Sequence, residues 1–140
     1  MTESSMVIDV AAGLLFSANR LLIAQRPAGT HLAGLWEFPG GKLAPGEDWE
    51  TCLRRELMEE LGIQVRVGAL FEEITHNYPA KTVRLRFFIC TRWSGEPRPI
   101  ECAALQWITR AQLGEFEFPP ADERLIERLR QEPWPEDLEP

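Results

Sequence analysis

The sequence predicts a mixed fold of strands and helices, an α/β or α+β sandwich, on three observations. Two strand-like apolar segments open the chain, an amphipathic helix follows its glycine-rich centre, and further strands precede a second helix. The chain has 140 residues and a mass of 16.0 kDa, which suits one domain. We expect that domain to span residues 1–131, with a proline- and acid-rich tail over residues 132–140.

The first elements are predicted to be a hairpin, a loop region and a helix. Residues 6–16 and 21–25 carry strand-like runs around a turn at residues 17–20. Glycines and prolines predict loops over residues 26–35 and 39–46. A helix is predicted from Trp49 to Leu61, with Asp48 as its N-cap and Gly62 just beyond its end. Leucines at every fourth position give this helix an apolar stripe: Leu53, Leu57 and Leu61.

The second half of the chain is predicted to contain three strands and a helix. Residues 63–74 and 83–93 are rich in apolar and β-branched residues, and residues 103–108 form a shorter segment of the same kind. Residues 121–130 have helical periodicity, with Leu125, Ile126 and Leu129 on one face. Strands therefore flank the central helix on both sides, as a sandwich requires.

The charge and cysteine content limit the classes of partner. The chain has 15 basic and 22 acidic residues, a net charge of −7, so nucleic-acid polymers and anionic membranes are not expected partners. A phosphate-bearing ligand would need a local cation or a metal. The three cysteines show no paired spacing, and neither a long apolar span nor a signal peptide is indicated. These features predict a cytosolic location.

Three carboxylates of the central helix are predicted to share one edge of its apolar stripe. Successive residues of a helix are about 100° apart around its axis, so with Glu56 at 0° Glu60 lies near 40° and Glu59 near −60°. Carboxylates crowded at a partly buried edge repel one another unless cations intervene. Such oxygen clusters suit Mg²⁺ or Mn²⁺. A solvated acidic face would have the same spacing, so the angles alone leave both interpretations open.

A longer pattern surrounds these carboxylates and resembles a known family. Residues 41–63 contain Gly41, Glu47, Arg55-Glu56-Leu57, Glu59-Glu60 and Gly62-Ile63 at the spacing of the complete Nudix box. Further similarity to the MutT branch of this family covers roughly residues 6–130. It includes the segments 35–42 and 118–123 and the tryptophans at 93 and 107. The resemblance implies a Nudix α/β/α sandwich with a mixed central sheet, in which the box forms a loop–helix–loop.

The resemblance also implies which residues hold metal and act on water. Divalent metal would be bound by carboxylates and by one backbone carbonyl, and Arg55 would orient a helix carboxylate. Two carboxylates are candidates for the base that takes a proton from water. One candidate is Glu56, in the box. The other is Glu101, whose spacing matches a glutamate that the MutT branch carries between the two tryptophans. Glu101 would also be a metal ligand. The implied metal ligands are Gly40, Glu56, Glu59, Glu60 and Glu101.

Six residues are implied on the substrate side. Arg26, Lys42 and Lys81 are the candidate phosphate-side cations, while Phe38 and Phe118 are expected near the nucleobase. Asp122 stands where the best-known 8-oxo-dGTP enzymes of the branch carry asparagine. An amide both donates and accepts hydrogen bonds, whereas an ionised carboxylate only accepts. The presence of aspartate at this position therefore bears on which nucleobase is recognised and not on which bond is cleaved.

The leading hypothesis is Mg²⁺-dependent hydrolysis of oxidised nucleoside triphosphates, 8-oxo-dGTP first, to a nucleoside monophosphate and pyrophosphate. Its biological role would be to clear mutagenic nucleotides from the pool, and Mn²⁺ is the alternative metal. A CTP or dCTP pyrophosphohydrolase on the same scaffold is the second hypothesis. A non-catalytic Nudix binding module is a remote third, since such modules lose box carboxylates that this chain retains. A monomer is expected, with a dimer as the alternative.

Overall fold

A computed structural model describes residues 6–135, in which one long N-terminal strand forms the centre of a mixed sheet. The strands are β1 (Met6–Ser17), β2 (Arg20–Gln25), β3 (Trp36–Glu37), β4 (Gly40–Lys42), β5 (Gln64–Arg66), β6 (Leu70–Asn77), β7 (Lys81–Cys90), β8 (Arg92–Ser94) and β9 (Ala104–Ile108). The α-helices are α1 (Trp49–Leu61) and α2 (Glu123–Gln131), and short 3₁₀ helices span Arg110–Glu115 and Pro120–Asp122.

The sheet combines one parallel pair with antiparallel neighbours. Its path runs β3-β2-β1-β7-β6, with β4 paired to β1 and β9 paired to β2. β1 and β7 are parallel from Met6 opposite Lys81 to Leu15 opposite Cys90, whereas β6 is antiparallel to β7. The pair β5–β8 forms a separate two-stranded ribbon. The N-terminal strand is therefore interior to the sheet, with β2, β4 and β7 paired directly to it.

Helices cover both faces of the sheet, which gives an α/β/α sandwich. In β1, Leu14 and Phe16 belong to the core beneath α2, while Ala11 and Leu15 belong to the core beneath α1. This division follows from the two-residue period of a strand. A strand buried on both faces has no polar side, which explains the continuous apolar run that opens the chain. The predicted fold class is confirmed.

The hairpin and the central helix match their predictions. β1 and β2 are joined by Ala18 and Asn19, which both have positive φ angles, as a tight two-residue hairpin turn requires. The Asp48 side chain caps α1 by accepting a hydrogen bond from the Thr51 N–H at 2.7 Å. Gly62 ends the helix in the left-handed conformation with φ 72°. Local capping signals therefore fixed both ends of this helix.

Two of the predicted strands were wrong in extent, because each is divided in two. Residues 63–74 contain β5 and the first part of β6, and residues 83–93 are divided at Thr91 between β7 and β8. The chain leaves the main sheet near Gly68, whose N–H donates to the Ile89 carbonyl at 2.9 Å. β5 and β8 then pair with each other beside α1, with Val65 opposite Trp93. Apart from Gly68, the residues at both breaks are compatible with a continuous strand, so the pattern did not reveal the change of partner.

The loop predicted over residues 39–46 contains a strand, and the second helix starts later than predicted. Gly40 and Gly41 pair with Ala12 and Ala11 of β1 to form β4. A side chain at Gly40 would collide with the backbone of Ala11, so glycine permits this close approach. The predicted helix 121–130 begins as a 3₁₀ turn and becomes α-helical at Glu123.

The described start of the predicted tail is packed against the domain. The Trp134 side chain is 3% exposed, its ring meets the Phe16 ring edge-on at 5.2 Å, and its Nε1–H donates to the Leu129 carbonyl at 2.9 Å. The packed body therefore extends beyond residue 131, while residues 136–140 lie outside the described part. Over residues 6–135, neither helix is long and apolar enough to cross a bilayer.

We expect Trp134→Ala to lower the free energy of unfolding by about 3 kcal/mol, because it removes a buried ring and leaves a cavity. Urea unfolding followed by circular dichroism would measure the loss. Gln131→Ala, at an exposed position in the same segment, is the control and should change stability by less than about 0.5 kcal/mol. Equal stability of Trp134→Ala and the wild type would contradict the packing described above.

Candidate functional site

Arg55 is the centre of the acidic cluster on α1. Its Nε and Nη2 donate to the two carboxylate oxygens of Glu47 at 2.8 and 2.9 Å. Its Nη1 donates to Glu56 at 3.0 Å and to Glu59 at 3.2 Å. The guanidinium group holds the pKa of Glu47 at about 2, well below its usual range. One arginine thus gathers three carboxylates on the loop and helix of the box.

Glu60 is the box carboxylate that Arg55 does not contact. Its Oε2 is shielded from water and has no hydrogen-bond partner among the described residues. Burial, and then the neighbouring Glu56 carboxylate, raise the pKa of Glu60 well above its usual range. A buried carboxylate without a cationic partner costs free energy, so this position favours either a proton or a positive ion.

Gly41 leaves the space that the Glu56 carboxylate occupies. A Cβ at residue 41 would collide with the carboxylate carbon and both oxygens of Glu56. The glycine of β4 and the glutamate of α1 are therefore in direct contact, which brings the adjacent Gly40 backbone near the acidic cluster. Within residues 6–135, no three Asp, Glu, His or Cys side chains converge as a preformed metal cage.

Glu101 approaches this cluster from a different part of the chain. It lies exposed in the segment between β8 and β9, directly after Ile100, whose N–H donates to the Glu60 carbonyl at 3.1 Å. The charge of Glu101 contributes to the raised pKa of Glu60, although less than burial and Glu56 do. The structure thus brings Glu101 to the end of α1 that carries Glu60.

A cavity of about 310 Å³ opens beside the acidic cluster and contains most of the predicted substrate-side residues. Its lining includes residues of β1, of β4 and of the segment 119–122 that precedes α2. Alternate residues of β7 contribute to its apolar wall. The residues predicted from sequence that line it are Arg26, Phe38, Gly40, Lys42 and Asp122. Segments distant in sequence are therefore assembled around one space of the size that small ligands occupy.

Two predicted residues lie behind or beside the cavity wall. Phe118 is absent from the lining but stacks on Phe38, with ring centroids 5.5 Å apart and planes 11° apart. Lys81 is also outside the lining, and its Nζ lies 5.5 Å from the centroid of the Tyr78 ring, which does line the cavity. Phe118 thus supports an aromatic wall, whereas Lys81 lies over the ring of a residue that lines the cavity.

Sequence reasoning missed several lining residues, namely Glu37, Tyr78, Val83, Leu85 and Phe87. The β7 residues had a signal, because they alternate with Arg84 and Arg86 and so share one face of a strand. Tyr78 precedes the turn between β6 and β7 and had no comparable signal. Glu37 accepts from Nη1 of Arg26 at 2.7 Å, and this ion pair holds the arginine within the cavity lining.

Asp122 is a buried acid at the α2 end of the cavity. It is 7% exposed, and burial, followed by the Glu37 charge, raises the pKa of Asp122 to about 7. Near neutral pH this carboxyl group is divided between two forms. The protonated form both donates and accepts a hydrogen bond, whereas the ionised form only accepts.

We expect Gly41→Ala to lower kcat about tenfold or more, because the new methyl group would displace the Glu56 carboxylate. Steady-state turnover as a function of divalent-metal concentration would measure kcat and its dependence on metal together. Gly114→Ala tests for a general effect of the mutation, because its Cβ would meet only the flexible end of Arg130, at 3.1 Å. Wild-type kcat in Gly41→Ala would contradict a role for the position of Glu56.

Comparisons with known proteins agree with this geometry. The NUDIX domain model matches residues 11–128. An Escherichia coli protein named 8-oxo-dGTP diphosphatase is 36% identical over 124 residues, covering 88% of this chain and 96% of that protein. A second Escherichia coli protein, named CTP pyrophosphohydrolase, is 35% identical over 121 residues, covering 86% of this chain and 90% of that protein.

The fold agrees as well. The solution structure of the E. coli ORF135 protein superposes with a TM-score of 0.80 at 34% identity, covering 88% of both chains. The match to the family model spans the box, most of the sheet and most of α2. On the fold, the box geometry and these similarities, the chain belongs to the Nudix family.

Proposed function

We propose that this protein hydrolyses nucleoside triphosphates, with 8-oxo-dGTP as the leading substrate, to the nucleoside monophosphate and pyrophosphate. One observation carries the proposal. The acidic cluster around Arg55 meets, at Gly41, a cavity that also presents Arg26, Phe38 and Asp122. Carboxylates at one end and aromatic and hydrogen-bonding groups at the other match the two ends of a nucleotide. The names of the relatives support the same reaction class.

The donor set suits Mg²⁺, with Mn²⁺ as the alternative. The residues that would hold the ion are Glu56, Glu59, Glu60, Glu101 and the carbonyl of Gly40. Hard oxygen donors are the ligands that these cations prefer. The unpartnered Oε2 of Glu60 is the feature that supports a cation most directly. When bound, the ion would neutralise charge on the phosphoryl oxygens and increase the acidity of water.

The protein's own groups would orient the reactants and move one proton. Arg55 keeps Glu56 and Glu59 close despite their repulsion. A water oxygen would attack the β-phosphorus, the bond from that phosphorus to the bridging oxygen of the nucleoside monophosphate would break, and a carboxylate would take the water proton. Glu56 and Glu101 are both assigned as candidates for this base. Arg26 and Lys42 would contact the phosphates from the cavity wall, and Lys81 would act from its position over the Tyr78 ring.

The nucleobase would lie at the end of the cavity away from the carboxylates. There it would pack against the ring of Phe38, which stacks on Phe118. Asp122 would read its polar edge. A specific observation favours the CTP or dCTP alternative, because a buried ionised carboxylate can accept from the cytosine amino group. In its protonated form the same group resembles an amide and would suit the oxidised purine.

The test is kcat/KM with Mg²⁺ for 8-oxo-dGTP, dGTP, dCTP and CTP, with products identified. A preference of about a hundredfold or more for 8-oxo-dGTP, with 8-oxo-dGMP and pyrophosphate formed, would support the leading proposal. Faster turnover of cytosine nucleotides would support the alternative. Hydrolysis of none of the four would contradict the proposed substrate class.

The proposed setting is the cytosolic nucleotide pool, where removal of oxidised nucleotides avoids mutation. Cys52, Cys90 and Cys102 are all unpaired, which agrees with a reducing compartment. The net charge of −7 argues against binding to nucleic-acid polymers. A monomer is proposed, with a dimer as the alternative, and sedimentation would distinguish the two.

A further inference from the structure

The segment that carries Glu101 is fastened to the end of α1. We call residues 95–103, which connect β8 to β9, the latch loop. The Arg98 N–H donates to the Leu61 carbonyl at 3.0 Å, and the Ile100 N–H donates to the Glu60 carbonyl at 3.1 Å. The last carbonyls of a helix have no partners within the helix. The latch loop supplies two of the missing donors, one on each side of Pro99.

The charge of Arg98 complements this helix end. The last turn of α1 has no basic residue, and it carries Glu59 and Glu60 at the negative end of the helix dipole. The Arg98 guanidinium lies over Gly62, with Nη2 only 2.7 Å and Cζ 3.5 Å from the position that a Cβ would occupy there. The absent side chain of Gly62 therefore leaves room for a cation supplied by another segment.

These contacts determine how Glu101 approaches the box. Glu101 directly follows Ile100, so the hydrogen bond from Ile100 to Glu60 fixes the backbone beside Glu101 to the helix. We infer that Arg98 is a positioning residue that fastens the latch loop to α1 and thereby places Glu101 against the acidic cluster. This inference rests on the proposed function, in which Glu101 serves the reaction.

A double-mutant cycle tests whether Arg98 acts through Glu101. We expect Arg98→Ala to lower kcat about tenfold, because a small misplacement of a reacting group is costly, and to leave the nucleotide KM within about twofold. In a Glu101→Gln background, the same substitution should change kcat by less than about twofold. Arg98→Lys should restore most of the activity, because it keeps the charge. Arg92→Ala, an exposed arginine on neighbouring β8, is the matched control.

Each result decides the inference. Wild-type kcat in Arg98→Ala, or the same loss in both backgrounds, would overturn it. Full activity of Glu101→Gln would also overturn it, because no catalytic group would then need positioning. Thermal melts of every variant would show whether a loss of activity reflects unfolding. The proposed function fails separately, if the unmutated protein hydrolyses none of the four nucleotides.

Discussion

Glu60→Gln is expected to lower kcat/KM by about 10³-fold or more without unfolding the protein. Gln keeps the size of the side chain but removes the negative charge that would hold the metal. The metal-free variant should be as stable as the wild type, or more stable by about 1 to 3 kcal/mol, because an uncompensated carboxylate at a shielded position is replaced by a neutral group. Loss of activity combined with retained stability is the signature of a binding site.

Metal binding supplies a readout that does not depend on turnover. Mn²⁺ binding measured by electron paramagnetic resonance, and the rise in Tm on adding Mg²⁺, should both be strongly reduced in Glu60→Gln. Glu50→Gln is the control, since Glu50 is an exposed carboxylate in the first turn of the same helix. Near-normal activity in Glu60→Gln, or an unchanged affinity for Mn²⁺, would refute the assignment of Glu60 as a ligand.

Asp122→Asn is expected to make the protein more stable, and the gain should grow with pH. The carboxyl group has an ordinary pKa of 3.8, and burial raises the pKa of Asp122 to about 7 in the folded protein. Between these values the folded state binds more protons than the unfolded state, so the stability of the wild type falls as pH rises. Asparagine has no such dependence.

The expected gain in the free energy of unfolding is about 4 kcal/mol at pH 8 and less than about 1 kcal/mol near pH 4. Urea unfolding at the two pH values would measure both. Glu123→Gln, an exposed neighbour in α2, should show no comparable change between them. A gain of the same size at both pH values would show that ionisation of Asp122 is not its cause.

The same substitution should alter substrate choice. In the wild type, the ratio of kcat/KM for 8-oxo-dGTP to that for CTP should rise about tenfold or more from pH 8 to pH 6, as Asp122 gains a proton that it can donate. In Asp122→Asn, the ratio should be high and nearly independent of pH. The ratio cancels pH effects on the shared chemistry. A ratio that does not respond to pH or to the substitution would exclude Asp122 as the reader of the base.

The parts of the fold that sequence predicted well are those set by local interactions. Asp48, Gly62 and the leucine spacing act within a few residues of one another, and α1 has the predicted ends. The angular estimate also placed the acids beside the buried stripe, and the structure adds that Glu60 is more shielded than Glu59. The positions of the box residues follow from this one helix and the loop before it.

Contacts between distant segments explain what sequence could not predict. The division of residues 63–74 depends on pairing between β5 and β8, which lie about thirty residues apart. The β7 wall of the cavity was visible as an alternation, but only the pairing of β7 with β1 shows which of its faces meets β4 and Asp122. Arg98 had no sequence signal, because its significance depends on the helix end that it meets.

The parallel pairing of β1 with β7 has a consequence for synthesis of the chain. The first described residues are paired with residues 81–90, and Asp9 forms an ion pair with Arg84 across 75 positions. A ribosome releases the N-terminal end first, so the box helix emerges before its sheet can exist. Until residue 90 has left the exit tunnel, one edge of the long apolar first strand has no β7 to cover it. The central sheet of this enzyme is therefore expected to form only after β7 has been synthesised, and the first strand to expose an unpaired apolar edge until then.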